Sequence, residues 1–196
     1  MKKFCLALTI ALILSISNFA AAATMFTAEQ FDKIVALTIK NPAVTSNATL
    51  NLDAATFKQN YDNFITNFIK ETSAVGEDAE MMRQVFLLND VKTDEYGSNQ
   101  IFAKNFLNRV VIVGLSEMNG NFKVLNFFAP IVEERDDALF NVLVLNAFIC
   151  GINPDLDATA LLDEASKNPS VPVICNGVKF SVATIENINI VTAVAQ

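Results

Sequence analysis

"NRVVIVGLSEMNGNFKVLNFFAPI", residues 108–131, consists of two apolar runs joined by an Asn-Gly pair. Asn-Gly between apolar runs favours a two-residue hairpin turn, because both central positions need positive φ. A strand near Arg109–Glu117 should therefore turn back into one near Phe122–Phe128. Each run carries apolar residues at both parities: Val110 to Val113 without a break, then Leu125, Phe127 and Phe128. A strand with one wet face alternates, whereas one covered on both faces does not. The hairpin thus predicts the interior of an antiparallel sheet with helices packed on it.

Further strands are expected on either side. Upstream, "RQVFLLNDV" and "NQIFAKNF" are β-rich runs, set apart by "KTDEYGS". Downstream, "VPVIC", "VKFSVA" and "NINIVTAV" form a β-rich tail, and Asn176-Gly177 gives it a second tight turn. A two-residue turn there pairs Cys175 with Val178, Val173 with Phe180 and Val171 with Val182. These six would share one face, turning Cys175 toward a covering helix.

Four helices are legible. "FTAEQFDKIVALTIKNPA" opens with a capping box, Thr27 and Gln30, carries Phe31, Ile34, Val35 and Thr38 at helical spacing, and ends before Asn41-Pro42. "LDAATFKQNYDNFITNFIKETSA" is capped by Asp53. Its stripe of Phe57, Tyr61, Phe64 and Phe68 suits packing on a sheet and is also the candidate lining of an apolar ligand cavity. "EERDDALFNVLVLNAFICGINP" gathers Glu133, Glu134, Asp136 and Asp137 at its start, where the helix dipole favours acids. Beyond them it is apolar on nearly every side, so it should be the most buried helix. "DLDATALLDEASKN" makes a fourth, short helix. The predicted class is α+β: an antiparallel meander with about four helices packed mainly on one face.

Residues 1–23 have the layout of a signal peptide: the basic "MKK", the apolar "FCLALTIALILSI" and small residues around Ala22 and Ala23. The expected organisation is a cleaved leader over 1–23 and one α+β domain over 24–196. The expected location is the periplasm or the exterior of a bacterial cell, with no transmembrane segment after cleavage. Lys2 and Lys3 would leave with the leader, taking the formal charge from −7 to −9. An acidic chain without Lys/Arg clusters excludes nucleic acid as a partner.

Past the leader only Cys150 and Cys175 remain. In an oxidising compartment two cysteines suggest one disulfide. The convergence of the buried third helix with the inward-facing Cys175 makes that bond the expectation, worth about 3–4 kcal/mol for such a loop.

The sequence contains no histidine. That removes Ser-His-Asp and Cys-His catalysis, histidine zinc sites and the commonest general base. "GLSEM" at 114–118 lacks the last glycine of the nucleophile elbow and lies on a strand. Asn153, Asp155, Asp157, Thr159 and Glu164 match ligand positions of a calcium loop, but Ala158 stands where its glycine belongs and Pro154 interrupts it. There is no phosphate loop, dinucleotide fingerprint or CxxC. The expectation is a non-enzymatic binding or interaction module without catalytic, cofactor-binding or metal-binding residues, whose partner is a protein (including an enzyme it inhibits) or an apolar small molecule. A lipid carrier using a helix–sheet cavity is the first alternative, since all but two of the sixteen phenylalanines, Phe4 and Phe19, lie past the leader. A carboxylate-dependent hydrolase is the second, and needs two acids facing each other across a cleft.

Overall fold

The computed structural model describes residues 26–118, 120–168 and 170–196. The expected leader and its cleavage point lie outside the described residues, as does Asn119 of the first Asn-Gly pair.

Seven strands form one antiparallel sheet. They are β1 (Lys92–Tyr96), β2 (Asn99–Phe106), β3 (Val110–Glu117), β4 (Phe122–Pro130), β5 (Val173–Cys175), β6 (Val178–Ile185) and β7 (Ile188–Ala195). Across the sheet the order is β1-β2-β3-β4-β7-β6-β5. The two runs of the opening hairpin are the central strands, and both are buried along nearly their whole length. Their ladder pairs Val113 with Asn126 and Val111 with Phe128, and shifts by one residue between Leu115 and Ser116.

The helices are α1 (Ala28–Ile39), α2 (Ala54–Glu71), α3 (Gly76–Phe86), α4 (Arg135–Ile152) and α5 (Ala158–Lys167), with a 3-10 turn at Pro42–Thr45. Helices α2 to α5 bury their apolar stripes in one large core with Phe102, Phe106, Ile112, Phe122, Leu125, Phe127 and Phe180. Among the described residues, α1 is the helix that covers the opposite face. There Phe26 and Ile34 pack on Ala103, Val111, Val113, Phe128 and Ile190. Strand parity sorts the two cores, since successive side chains alternate between faces.

Among the described residues five helices stand where about four were expected. The additional one is α3, whose segment reads as a break because Gly76 sits at its start with φ +60. Its buried Ala79, Met82 and Phe86 are nonetheless at helical spacing, with Glu77 and Asp78 in the first turn. The run "RQVFLLNDV" is therefore the end of α3 and a loop, not a strand. Strand β1, in turn, forms from a stretch taken as a separator. Every one of its residues is exposed, so no apolar alternation marks it. A charged outer strand of this kind resists pairing with another chain, and the opposite edge strand, β5, is only three residues long and follows Pro172.

The caps form as expected. Thr27 and Gln30 exchange both hydrogen bonds of the capping box, at 2.9 and 3.2 Å. Asp53 accepts from the Thr56 amide at 2.7 Å, and that bond holds its carboxyl below the usual carboxylate range. Leu50 and Leu52 exchange backbone hydrogen bonds with Phe122, so the start of α2 is anchored at the β3–β4 turn.

Candidate functional site

The stripe of α2 lies against the sheet. Phe57 and Tyr61 are fully buried, Phe68 is buried and Phe64 is partly buried at the margin of the core. The Phe57 ring stands 5.7 Å from Phe102, 6.0 Å from Phe122 and 6.1 Å from Phe148, edge-on in each case. Tyr61 stacks on Phe106 at 6.0 Å. A Cβ added to Gly151 of α4 would come within 2.7 Å of Phe57 Cε2, so helix and ring meet without spare room. The buried Tyr61 hydroxyl has no hydrogen-bond partner among the described residues, and desolvation pushes its pKa up.

Cys150 and Cys175 are free thiols, which corrects the expected disulfide. The hairpin register was legible: Cys175 pairs with Val178 and Val173 with Phe180 across an Asn176-Gly177 turn with φ of 51° and 78°. Cys175 also packs against the helix-covered core, as expected. Val171, however, lies outside the ladder and is 60% exposed. Helix α5 packs against both α4 and β5, the elements that carry the two cysteines. Cys150, at the far end of α4, lies near Asp157 at the start of α5. Burial and that carboxylate both push its thiol pKa up.

Several of the acids serve structure. Asp137 accepts from Arg109 at 2.6 Å in a pair whose side chains are only 15% and 6% exposed, while Glu133, Glu134 and Asp136 are exposed. In the calcium-like segment Asn153 accepts from the Asp155 amide at 2.9 Å, Asp157 caps α5 through the Ala160 amide at 3.0 Å, and Glu164 pairs with Lys167. Ser116 donates to the Gln100 carbonyl at 3.4 Å within the sheet. Among the described residues no three His, Cys, Asp or Glu side chains gather as a metal site, and no helix is long and apolar enough to cross a membrane.

Open apolar space lies elsewhere, on both faces around the β6–β7 turn. That turn is Glu186-Asn187, both at positive φ. On the α1 face a cleft of 260 Å³ runs between α1 and the turn, lined by Gln30, Lys33, Ile34, Leu37 and Lys40 on one wall and Ile185, Glu186, Ile188 and Ile190 on the other, with Phe128 at its floor. Leu37 and Ile185 at its mouth are 45% and 48% exposed. On the α4 face a groove of 390 Å³ passes between α4 and the sheet, with Ile131 and Val142 at its edge, 48% and 45% exposed. Surface apolar residues are unremarkable singly, but on each face a pair of them, Leu37 with Ile185 and Ile131 with Val142, borders an apolar cleft of the kind that binds ligands.

Two polar features fix the α1 cleft. The buried Asn126 donates to Thr38 Oγ1 at 2.9 Å, and Thr38 in turn donates to the Ile34 carbonyl, so α1 is pinned to β4 rather than merely greased to it. At the other end the Phe26 amide donates to the Asn108 carbonyl of the β2–β3 turn at 2.6 Å. A more polar cleft of 570 Å³ flanks α1 there, bordered by Asp32, Asp90, Lys92 and Lys104. Lys104 donates to the Asn89 carbonyl and lies 5.6 Å from the centre of the Phe106 ring. Burial lowers its pKa, against the opposing pull of Asp90, with Lys58 reinforcing the drop and Asp62 resisting it. Its bonds tie the α3–β1 loop to the sheet.

Sequence reasoning named Ile34 in the α1 stripe but not the cleft beside it. Its walls are about 150 residues apart, and the only local signal is Leu37, a leucine on the flank of the stripe. Comparison with known protein families, with curated proteins and with solved structures found no match.

Proposed function

We propose that this chain is an exported, non-enzymatic binding module whose recognition surface is the cleft between α1 and the β6–β7 turn. The observation that carries it is the cleft itself: an apolar floor held open by a helix that hydrogen bonds pin in place, with large apolar residues left exposed at the mouth. The absence of histidine supports binding over catalysis, as does the use of the acids in caps and ion pairs. This makes the carrier of an apolar ligand the favoured form, using α1 in place of α2.

The neutral fluorophore N-phenyl-1-naphthylamine should bind the purified protein with enhanced fluorescence. Leu37→Glu should weaken it about tenfold or more, with the melting temperature preserved because Leu37 is exposed. Absence of binding, or binding indifferent to Leu37→Glu and Ile185→Glu alike, would discard the cleft. Recognition of another protein is the second reading, favoured by Ile131 and Val142 on the opposite face. It requires that groove, so Ile131→Glu should abolish such a complex and Leu37→Glu should leave it intact.

A further inference from the structure

We infer that the α1 cleft takes a single-chain fatty acid, with the carboxylate on Lys40 and the acyl chain along Ile34, Leu37, Phe128 and Ile188. The inference rests on the binding reading above and adds the chemistry of the ligand. The chain as a whole is acidic, with 14 basic residues against 21 acids, yet α1 presents two lysines to this apolar cleft. Lys33 and Lys40 stand two helical turns apart on the same wall, roughly 10 Å along the axis, with Leu37 between them. Lys33 is partly neutralised by Glu29 at 3.3 Å, whereas Lys40 has no ion pair among the described residues. On the facing wall Glu186 repels an anion, which orients a carboxylate toward the helix. A dry floor beside an unpaired ammonium is complementary to an anionic head on an apolar tail. The volume of 260 Å³ falls just under the ~300–1,000 Å³ of most small-molecule sites, which suits one acyl chain.

Competition against bound N-phenyl-1-naphthylamine tests this, with dodecanoate, dodecanol and dodecylamine used below their micelle-forming concentrations at low salt. Dodecanoate should displace the probe at about five- to tenfold lower concentration than dodecanol, and dodecylamine should be the weakest. Lys40→Gln should erase the advantage of dodecanoate over dodecanol, read as the ratio of their displacing concentrations on the same variant, and Lys40→Arg should retain it. Lys40 is exposed, so neither variant threatens folding. A lysine that served only the end of α1 would alter stability and leave the ratio untouched. Equal displacement by acid and alcohol, preference for the amine, or a ratio that survives Lys40→Gln overturns the fatty-acid assignment while the probe still binds. Failure of the probe itself to bind overturns the binding reading as well.

Discussion

Asp137→Ala is expected to destabilise the protein by about 3–5 kcal/mol, the range for removing one partner of a buried ion pair. Arg109 follows the β2–β3 turn, where Leu107 and Asn108 both have positive φ, and its side chain is only 6% exposed. Its guanidinium donates to Asp137 in the first turn of α4 and lies 5.9 Å from the centre of the Phe140 ring. Removing the carboxylate leaves a guanidinium that cannot deprotonate in a place with little water. The melting temperature should fall by roughly 10 °C, taking about 2–4 °C per kcal/mol for a domain of this size. The double variant Arg109→Met with Asp137→Ala should recover much of the loss, because it removes both halves of the buried pair together. A single-variant cost below about 1 kcal/mol in urea unfolding, or a double variant as unstable as the sum of the singles, would contradict this account.

Phe57→Ala should cost about 3–5 kcal/mol, the usual range for a fully buried phenylalanine. The sharper expectation concerns its neighbour. In the native chain Gly151→Ala drives a methyl group to 2.7 Å from the Phe57 ring, so it should destabilise by about 1–3 kcal/mol. In the Phe57→Ala background that obstacle is gone, and alanine has a better helix propensity than glycine by up to ~1 kcal/mol. Gly151→Ala should therefore change sign and become neutral or stabilising there. Denaturant unfolding of the four proteins in this cycle measures the coupling directly. Additive effects would mean that α2 and α4 are not in the close contact described.

Both effects come from contacts between distant segments, and this limits what was legible beforehand. The pairing of β3 with β4, the Thr27 and Asp53 caps, the α2 stripe and the Cys175–Val178 register all depend on neighbours within a few residues. The expected two-residue turn between β3 and β4, by contrast, gives way to a register shift that bonds the Glu117 amide to the Asn121 carbonyl and leaves Gly120 without positive φ. Helix α3 is hidden in the sequence although its buried positions carry the helical period, because Gly76 looks like a breaker and only starts the helix. Strand β1 had no apolar signal to offer. Its pairing with β2, Lys92 with Ala103 through Tyr96 with Asn99, is supplied by backbone hydrogen bonds that composition does not encode.

The candidate site was less legible than the fold. The aromatic residues named as a ligand lining lie in the interior, while the open cleft arises where α1 meets a turn near the other end of the chain. Apolar periodicity shows which face of a helix is buried, and it is silent on whether the partner surface extends as far as the helix needs. Exposed Leu37 lines the cleft where β6 turns into β7 between Ile185 and Ile188. That depends on strand order.

Local chemistry in the chain thus decides the turns, the caps, the strand parity and the histidine-free repertoire, since each is set by residues a few positions apart or by their absence. Tertiary structure alone decides that β7 inserts beside β4, that α5 packs against both α4 and β5, near the two cysteines, and that α1 covers one face incompletely. These outcomes come from competition among burial, charge pairing and chain connectivity across the whole molecule, and no short stretch holds the terms of that competition.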